Sequence, residues 1–191
     1  MLVLKIVYWV GMVIEIVVRA PFRKTWKAGV KTEQQVSALE RFLLGMLTVV
    51  MLVFPLIYSL TGWLGFADYS LPGWAGGLGV FLMAGSLFVF ARAHLDLKAN
   101  WSPSLEIRAD HRLVTNGIYA LIRHPMYASQ ALWALAQILL LQNWLAGPLN
   151  LVFFIPFYLL RVQAEEKMML AAFGSQYEAY MKKVGGMIPK L

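Results

Sequence analysis

The chain has 191 residues, 60% of them hydrophobic and 14% charged, with mean hydropathy +0.63 and net charge +7. A soluble domain is closer to half apolar and a quarter charged, so this chain must bury apolar surface in lipid as well as in its own small core. The lack of cysteine excludes disulfides and thiolate metal sites, three scattered histidines (His94, His111, His124) form no metal motif, and basic flanks of membrane spans explain the charge better than nucleic acid does.

A membrane span needs about 20 mostly apolar residues. The first is expected over residues 2–18. No small-residue cleavage site precedes the basic cluster that follows it, so it does not read as a cleavable signal peptide. The second covers 42–60, with Pro55 as an expected kink. The third covers 74–93 and is rich in small residues (Gly76, Gly77, Gly79, Ala84, Gly85), which let helices approach closely in lipid. The fourth (127–141) and fifth (145–160) are separated only by "QNWLAG" and form an antiparallel hairpin; Pro148 and Pro156 are expected to bend the fifth. Beyond it, "AEEKMMLAAFGSQYEAYMKKVGG" reads as one helix packed on the membrane surface. Met169, Phe173, Tyr177 and Tyr180 or Met181 lie on one face, and Gly185-Gly186 is the stop.

The loops orient these spans. Basic residues crowd the segment after span one, the segment between spans three and four, and the tail; of the 17, only Lys5 lies on the other side. The positive-inside rule then puts the N-terminus outside and the C-terminus in the cytoplasm. The polar segments 94–126 and 161–191 share the cytoplasmic side, where a soluble cofactor would enter. The expected fold is an all-α integral membrane protein, a single domain of five spans with a cytoplasmic C-terminal helix and cofactor pocket.

Several residues there could carry chemistry. Arg161 and Glu165 are four apart, on one helical face. They read either as an interfacial salt bridge or as a functional pair, since ionisable groups at a membrane edge are often functional. Glu15 and Arg19 have the same spacing and read as a structural pair, because nothing else polar surrounds them in the sequence. In Arg123-His124-Pro125, proline suits the first helical turn, and free N–H groups near His124 favour an anion. The same residues also read as a plain helix start. Tyr119 and Tyr127 flank this corner; their faces suit a cation, or an interfacial aromatic belt. Asn100, Trp101, Ser102 and Glu106 lie in the same loop.

The stretch "LVTNGIYALIRHPMY" (113–127), followed by "RVQAEEKMMLAAFGSQYEAY" (161–180), resembles the isoprenylcysteine carboxyl methyltransferase family, which groups with the phospholipid methyltransferases. Its specific part is Gly-x-Tyr-x-x-x-Arg-His-Pro-x-Tyr joined to Arg-x-x-x-Glu-Glu and Phe-Gly-x-x-Tyr. "NWSPSLEIRADHRLV" extends the match, so the resemblance runs from about Asn100 to the C-terminus. Five spans fit the short prokaryotic members, without the additional N-terminal spans of eukaryotic ones.

The resemblance implies S-adenosylmethionine as methyl donor. It places His111, Arg112, Leu113 and Val114 along the cofactor, with Gly117 and Tyr119 beside it and His124, Pro125, Met126 and Tyr127 as the next wall. Glu165 would meet the cofactor's ammonium group. Arg161 matches the family's substrate-side arginine, with Asn100 and Trp101 on the same side. Glu106 stands where eukaryotic members place a cofactor-contacting glutamine, a departure from the pattern. The implied acceptor is lipophilic or prenylated, drawn from the membrane, and its carboxyl group is methylated. A phospholipid amine, a thiol, an NADPH-dependent reduction and a non-catalytic scaffold are the competing readings.

Overall fold

A computed structural model describes residues 2–27, 37–101 and 112–190. Among these the protein is helical: α1 (Leu2–Lys27), α2 (Ala38–Thr48), α3 (Phe54–Leu60), α4 (Gly73–Leu97), α5 (Pro125–Leu141), α6 (Leu149–Phe173) and α7 (Ser175–Lys183), with short 3₁₀ turns and two isolated β-bridges. By length and composition, the α2–α3 rod (Ala38–Leu60) and α4 could each cross a membrane, and α5 is a shorter apolar helix. Glu106 and His111 lie outside the described residues.

The expected spans are present as helices, but their ends differ. α1 runs past residue 18 and through Pro21. α6 begins at Leu149, with Pro148 just outside it and Pro156 inside, and it continues past residue 160 to Phe173. Hydropathy marks where apolar composition stops, whereas a helix stops only where a breaker intervenes. The breaker here is Gly174, at φ +51, and it divides the expected single tail helix into the end of α6 and a separate α7. Gly185-Gly186 does follow the end of α7, as expected.

α1 is inside-out by the standards of a soluble helix. Tyr8, Gly11 and Glu15 form its buried stripe, while Leu2, Val3, Val13 and Val17 are exposed. Lipid is the solvent that accepts such a face. Lys5, the one cation expected on the far side, donates to the Tyr58 carbonyl at 2.9 Å and lies over the Tyr58 ring.

α4 and α5 form the most extensive helix pair. A Cβ on Gly79 would meet Leu139 and Leu140 of α5 at 3.0 Å, so glycine sets this approach; Gly76 likewise admits Leu4 of α1. Gly77 faces open space and takes no part. Ser86 donates across the α4–α5 seam to the Ser129 carbonyl at 2.8 Å. The kink expected at Pro55 takes the form of a π-turn over Val49–Val53, immediately before α3. Two carbonyls of that turn accept from other helices: Val50 from Gln137 (2.8 Å) and Met51 from Tyr8 (2.5 Å). Residues 142–148 close the expected α5–α6 hairpin, with the buried Asn143 side chain bridging Leu64, Asp68 and the Leu145 and Ala146 amides. α1 packs on α4 and α5, and α2 packs on α6. The space between these two groups is a cavity.

Candidate active site

The cavity has a volume of about 410 Å³, within the usual range of ligand sites. Asn100, Trp101, Arg112, Leu113, Val114, Tyr119, His124, Pro125, Met126, Tyr127, Arg161 and Glu165 all line it. Gly117 does not. It adopts φ +60, and a Cβ there would collide with the Asp96 carboxylate, which accepts from the Ile118 amide at 2.8 Å. Its service is to turn the chain so that Tyr119 faces inward.

At one end the cavity is polar. His124 is 3% exposed and stands between two carboxylates. Its Nε2 donates to Glu166 Oε1 at 3.0 Å, and its Nδ1 faces Glu165 Oε1 at 3.9 Å. A carboxylate only accepts, so a hydrogen belongs on Nε2. Nδ1 is buried with no hydrogen-bond partner. Glu165 is held from the other side by the Tyr127 hydroxyl, which donates at 2.9 Å.

Glu166 carries no role in the sequence reading, yet it organises this end. It accepts from Arg123 Nη2 at 2.7 Å as well as from His124. Burial opposes its ionisation, but the hydrogen bonds from His124 and Arg123 outweigh that and hold its pKa below the usual carboxylate value. Arg123 also donates to the carbonyls of Met181 and Val184. The Arg123 and His124 amides donate to Gly185 and Gly186, at 2.8 and 3.1 Å. These two N–H groups are therefore already used. The amides open to an anion are those of Met126 and Tyr127, in the first turn of α5 where no intrahelical acceptor exists.

The aromatic stripe of the tail is buried in the fold. Tyr177, Tyr180 and Val184 pack with Leu113, Met169 and Phe173, and several of these line the cavity. Tyr180 donates to the Tyr119 carbonyl at 2.5 Å. Burial, reinforced by the Glu165 charge, raises the Tyr119 phenol well above its ordinary value, so it stays neutral.

At the other end the cavity is apolar, walled by Leu44, Leu47 and Met51 from the α2–α3 rod and by Phe154 and Phe157 from α6. Arg161 marks the junction of the two ends. It is buried, pairs with Glu40 of α2 and also acts on the Tyr127 hydroxyl, which donates to Glu165. Trp101 packs its ring 5.3 Å from His94, and the Asn100 side chain accepts from the Arg112 amide. Arg19 and Gln130, absent from the expected site, also line the cavity.

The model of the isoprenylcysteine carboxyl methyltransferase family matches residues 77–171. The chain belongs to that family. The match reaches back into α4, further than the expected start near Asn100, and ends before α7. Among the relatives, a protein-S-isoprenylcysteine O-methyltransferase of Schizosaccharomyces pombe is 42% identical over 80 residues, 42% of this chain and 34% of that one. One from Tribolium castaneum is 30% identical over 142 residues, 70% of this chain and 50% of that one. This chain thus spans half or less of these relatives. A solved structure of the eukaryotic intramembrane Ras methyltransferase of this family aligns with TM-score 0.56 at 25% identity, over 92% of this chain and 61% of that one. The all-helical arrangement is therefore the membrane fold of the isoprenylcysteine carboxyl methyltransferase family.

Proposed function

We propose that this protein is an S-adenosylmethionine-dependent methyltransferase of the membrane, acting on the carboxylate of a lipophilic, isoprenylcysteine-like acceptor. One observation carries the reading: a single cavity joins a polar end built for a charged amino-acid group to an apolar end lined by two helices. The basic loops support a cytoplasmic polar end and five spans with the N-terminus outside.

The polar end fits the donor. An ammonium group brings three N–H donors, and the Glu165 carboxylate, whose Oε2 accepts from Tyr127 while Oε1 faces the buried Nδ1 of His124, is the partner that suits it. The Met126 and Tyr127 amides suit its carboxylate. The faces of Tyr119 and Tyr127 suit a positive sulfur. When bound, the cofactor supplies an electrophilic methyl group on that sulfur.

The chain's own work is positioning. An acceptor carboxylate is ionised at neutral pH and needs no general base. Arg161 orients it by charge-assisted hydrogen bonds, and Glu40 tempers the positive charge so that the carboxylate keeps its nucleophilicity. Holding two reactants in line is worth roughly 7–11 kcal/mol. The apolar end receives the lipid tail and keeps water from the reacting groups.

The test is to give purified protein labelled S-adenosylmethionine with a prenylcysteine, phosphatidylethanolamine or a small thiol. Base-labile label on the prenylcysteine is the expected result, as from a methyl ester. Label on the amine or thiol redirects the acceptor class. NADPH oxidation points to a reductase, and no cofactor binding to a scaffold.

A further inference from the structure

Glu15 and Arg19 look in sequence like an ordinary pair one turn apart on α1. Their surroundings are not ordinary. Glu15 is 7% exposed, on a helix whose opposite face is exposed valine and isoleucine. A buried carboxylate within a membrane helix is costly, and it persists where it has partners and a task. Two helices supply the partners. Arg19 Nη2 lies 3.3 Å from Glu15 Oε1, and Gln130 Nε2 of α5 donates to the same oxygen at 3.1 Å. Glu15 Oε2 is buried and unpartnered, so Arg19 is not spent on closing both carboxylate oxygens. Its guanidinium lies over the Phe90 ring, 5.0 Å from the centroid, and lines the cavity together with Gln130. Gln130 is three residues beyond Tyr127, on the same face of α5.

Four arginines line the cavity; Arg123 is committed to Glu166 and Arg112 lies beside Leu113, while Arg161 from α6 and Arg19 from α1 each present a guanidinium paired with a carboxylate from α2 or α1. The last two differ in setting. The Arg161 side chain is 9% exposed and paired with Glu40, whereas that of Arg19 is 45% exposed and shares its carboxylate with Gln130.

We infer that Arg19, set in place by Glu15 and Gln130, is a second guanidinium for the acceptor's carboxylate, binding it jointly with Arg161, and so makes α1 a specificity-determining wall of the acceptor site. The inference rests on the carboxylate-acceptor reading above. The guanidinium fork offers five N–H donors matched to a carboxylate or phosphate, and the Phe90 face fixes its plane. Glu15 is a positioning residue. It sets the direction of Arg19 without meeting the acceptor.

The experiment measures N-acetyl-S-farnesylcysteine binding by calorimetry on the full chain in phospholipid-free detergent, with S-adenosylhomocysteine present. R19Q is expected to weaken binding about tenfold, R19K less, and E15Q in the same direction. S-adenosylhomocysteine affinity should stay within about twofold of wild type, which also reports that the variants fold. The carboxamide analogue of the probe should lose the sensitivity to R19Q. Equal binding of the acid by R19Q and wild type overturns the inference alone. So does loss of phosphatidylglycerol binding with prenylcysteine affinity unchanged, since the anion would then be a lipid phosphate. Wild-type protein that binds S-adenosylhomocysteine but not the prenylcysteine overturns the inference and the acceptor class together. Binding of neither overturns the methyltransferase reading as well.

Discussion

Arg161 pairs with Glu40, across from α6 to α2, and not with Glu165 one turn along its own helix. Of the two readings open for these residues, a salt bridge with each other or separate roles, the Glu40 pairing favours the second, and the Tyr127 hydroxyl lies between them. Glu165 stays available to a cation, and Arg161 is anchored where the polar and apolar ends meet.

The first expectation concerns that anchor. E40A should lower the stability of the purified protein by about 2 kcal/mol, the scale for losing a hydrogen bond to a buried charge. It should also depress turnover more than donor binding, because Arg161 would lose the carboxylate that pairs with it across to α2. Thermal unfolding in detergent and titration with S-adenosylhomocysteine measure the two effects.

Separate ends should give separable phenotypes. E165A should abolish detectable S-adenosylhomocysteine binding. R161A should keep that affinity within about threefold while turnover falls by about a hundredfold, the scale of losing a charge-assisted contact made at the reacting group. Calorimetry and single-turnover kinetics on both variants check this. The reverse pattern would exchange the two roles.

Glu166 makes stability depend on pH with a defined sign. Its folded pKa lies below its ordinary value of 4.5, so its stabilising effect is complete above that value and is lost as pH falls through the lowered folded one. The apparent Tm should drop on acidification below pH 4.5, and E166Q should flatten that limb while starting from a lower Tm at neutral pH. Melting curves across the acid range on both proteins decide it.

Gly174 has open space around it, so a methyl group there meets no neighbour. Its backbone nevertheless sits at φ +51, ψ −128, a region side-chain-bearing residues rarely adopt, Lys98 being the other case among the described residues. G174A should cost about 2 kcal/mol through backbone strain alone. By shifting α7 it should also weaken donor binding, since Tyr177 and Tyr180 line the cavity. A normal Tm for G174A would show that the turn relaxes without cost.

Much of the architecture was legible in the chain. Apolar runs located the helices, because lipid imposes length and composition on any segment that crosses it. The paired motifs around Arg123-His124-Pro125 and Arg161–Glu166 pointed to residues that line one cavity, because both fall at the ends of apolar runs that pack side by side. Helix ends were less legible. α1 and α6 run beyond their apolar stretches because nothing in them stops a helix, and Gly174 divides the tail because its φ forbids continuation.

Partnership was decided by tertiary structure alone. Glu40 with Arg161, Gln130 with Glu15, and Glu166 with both Arg123 and His124 join residues 42 to 121 positions apart. Spacing along one helix says which side chains share a face. It does not say which neighbour that face meets, because this depends on the rotation and register of one helix against another. Close contacts such as Gly79 against Leu140 set those quantities only once the helices have packed.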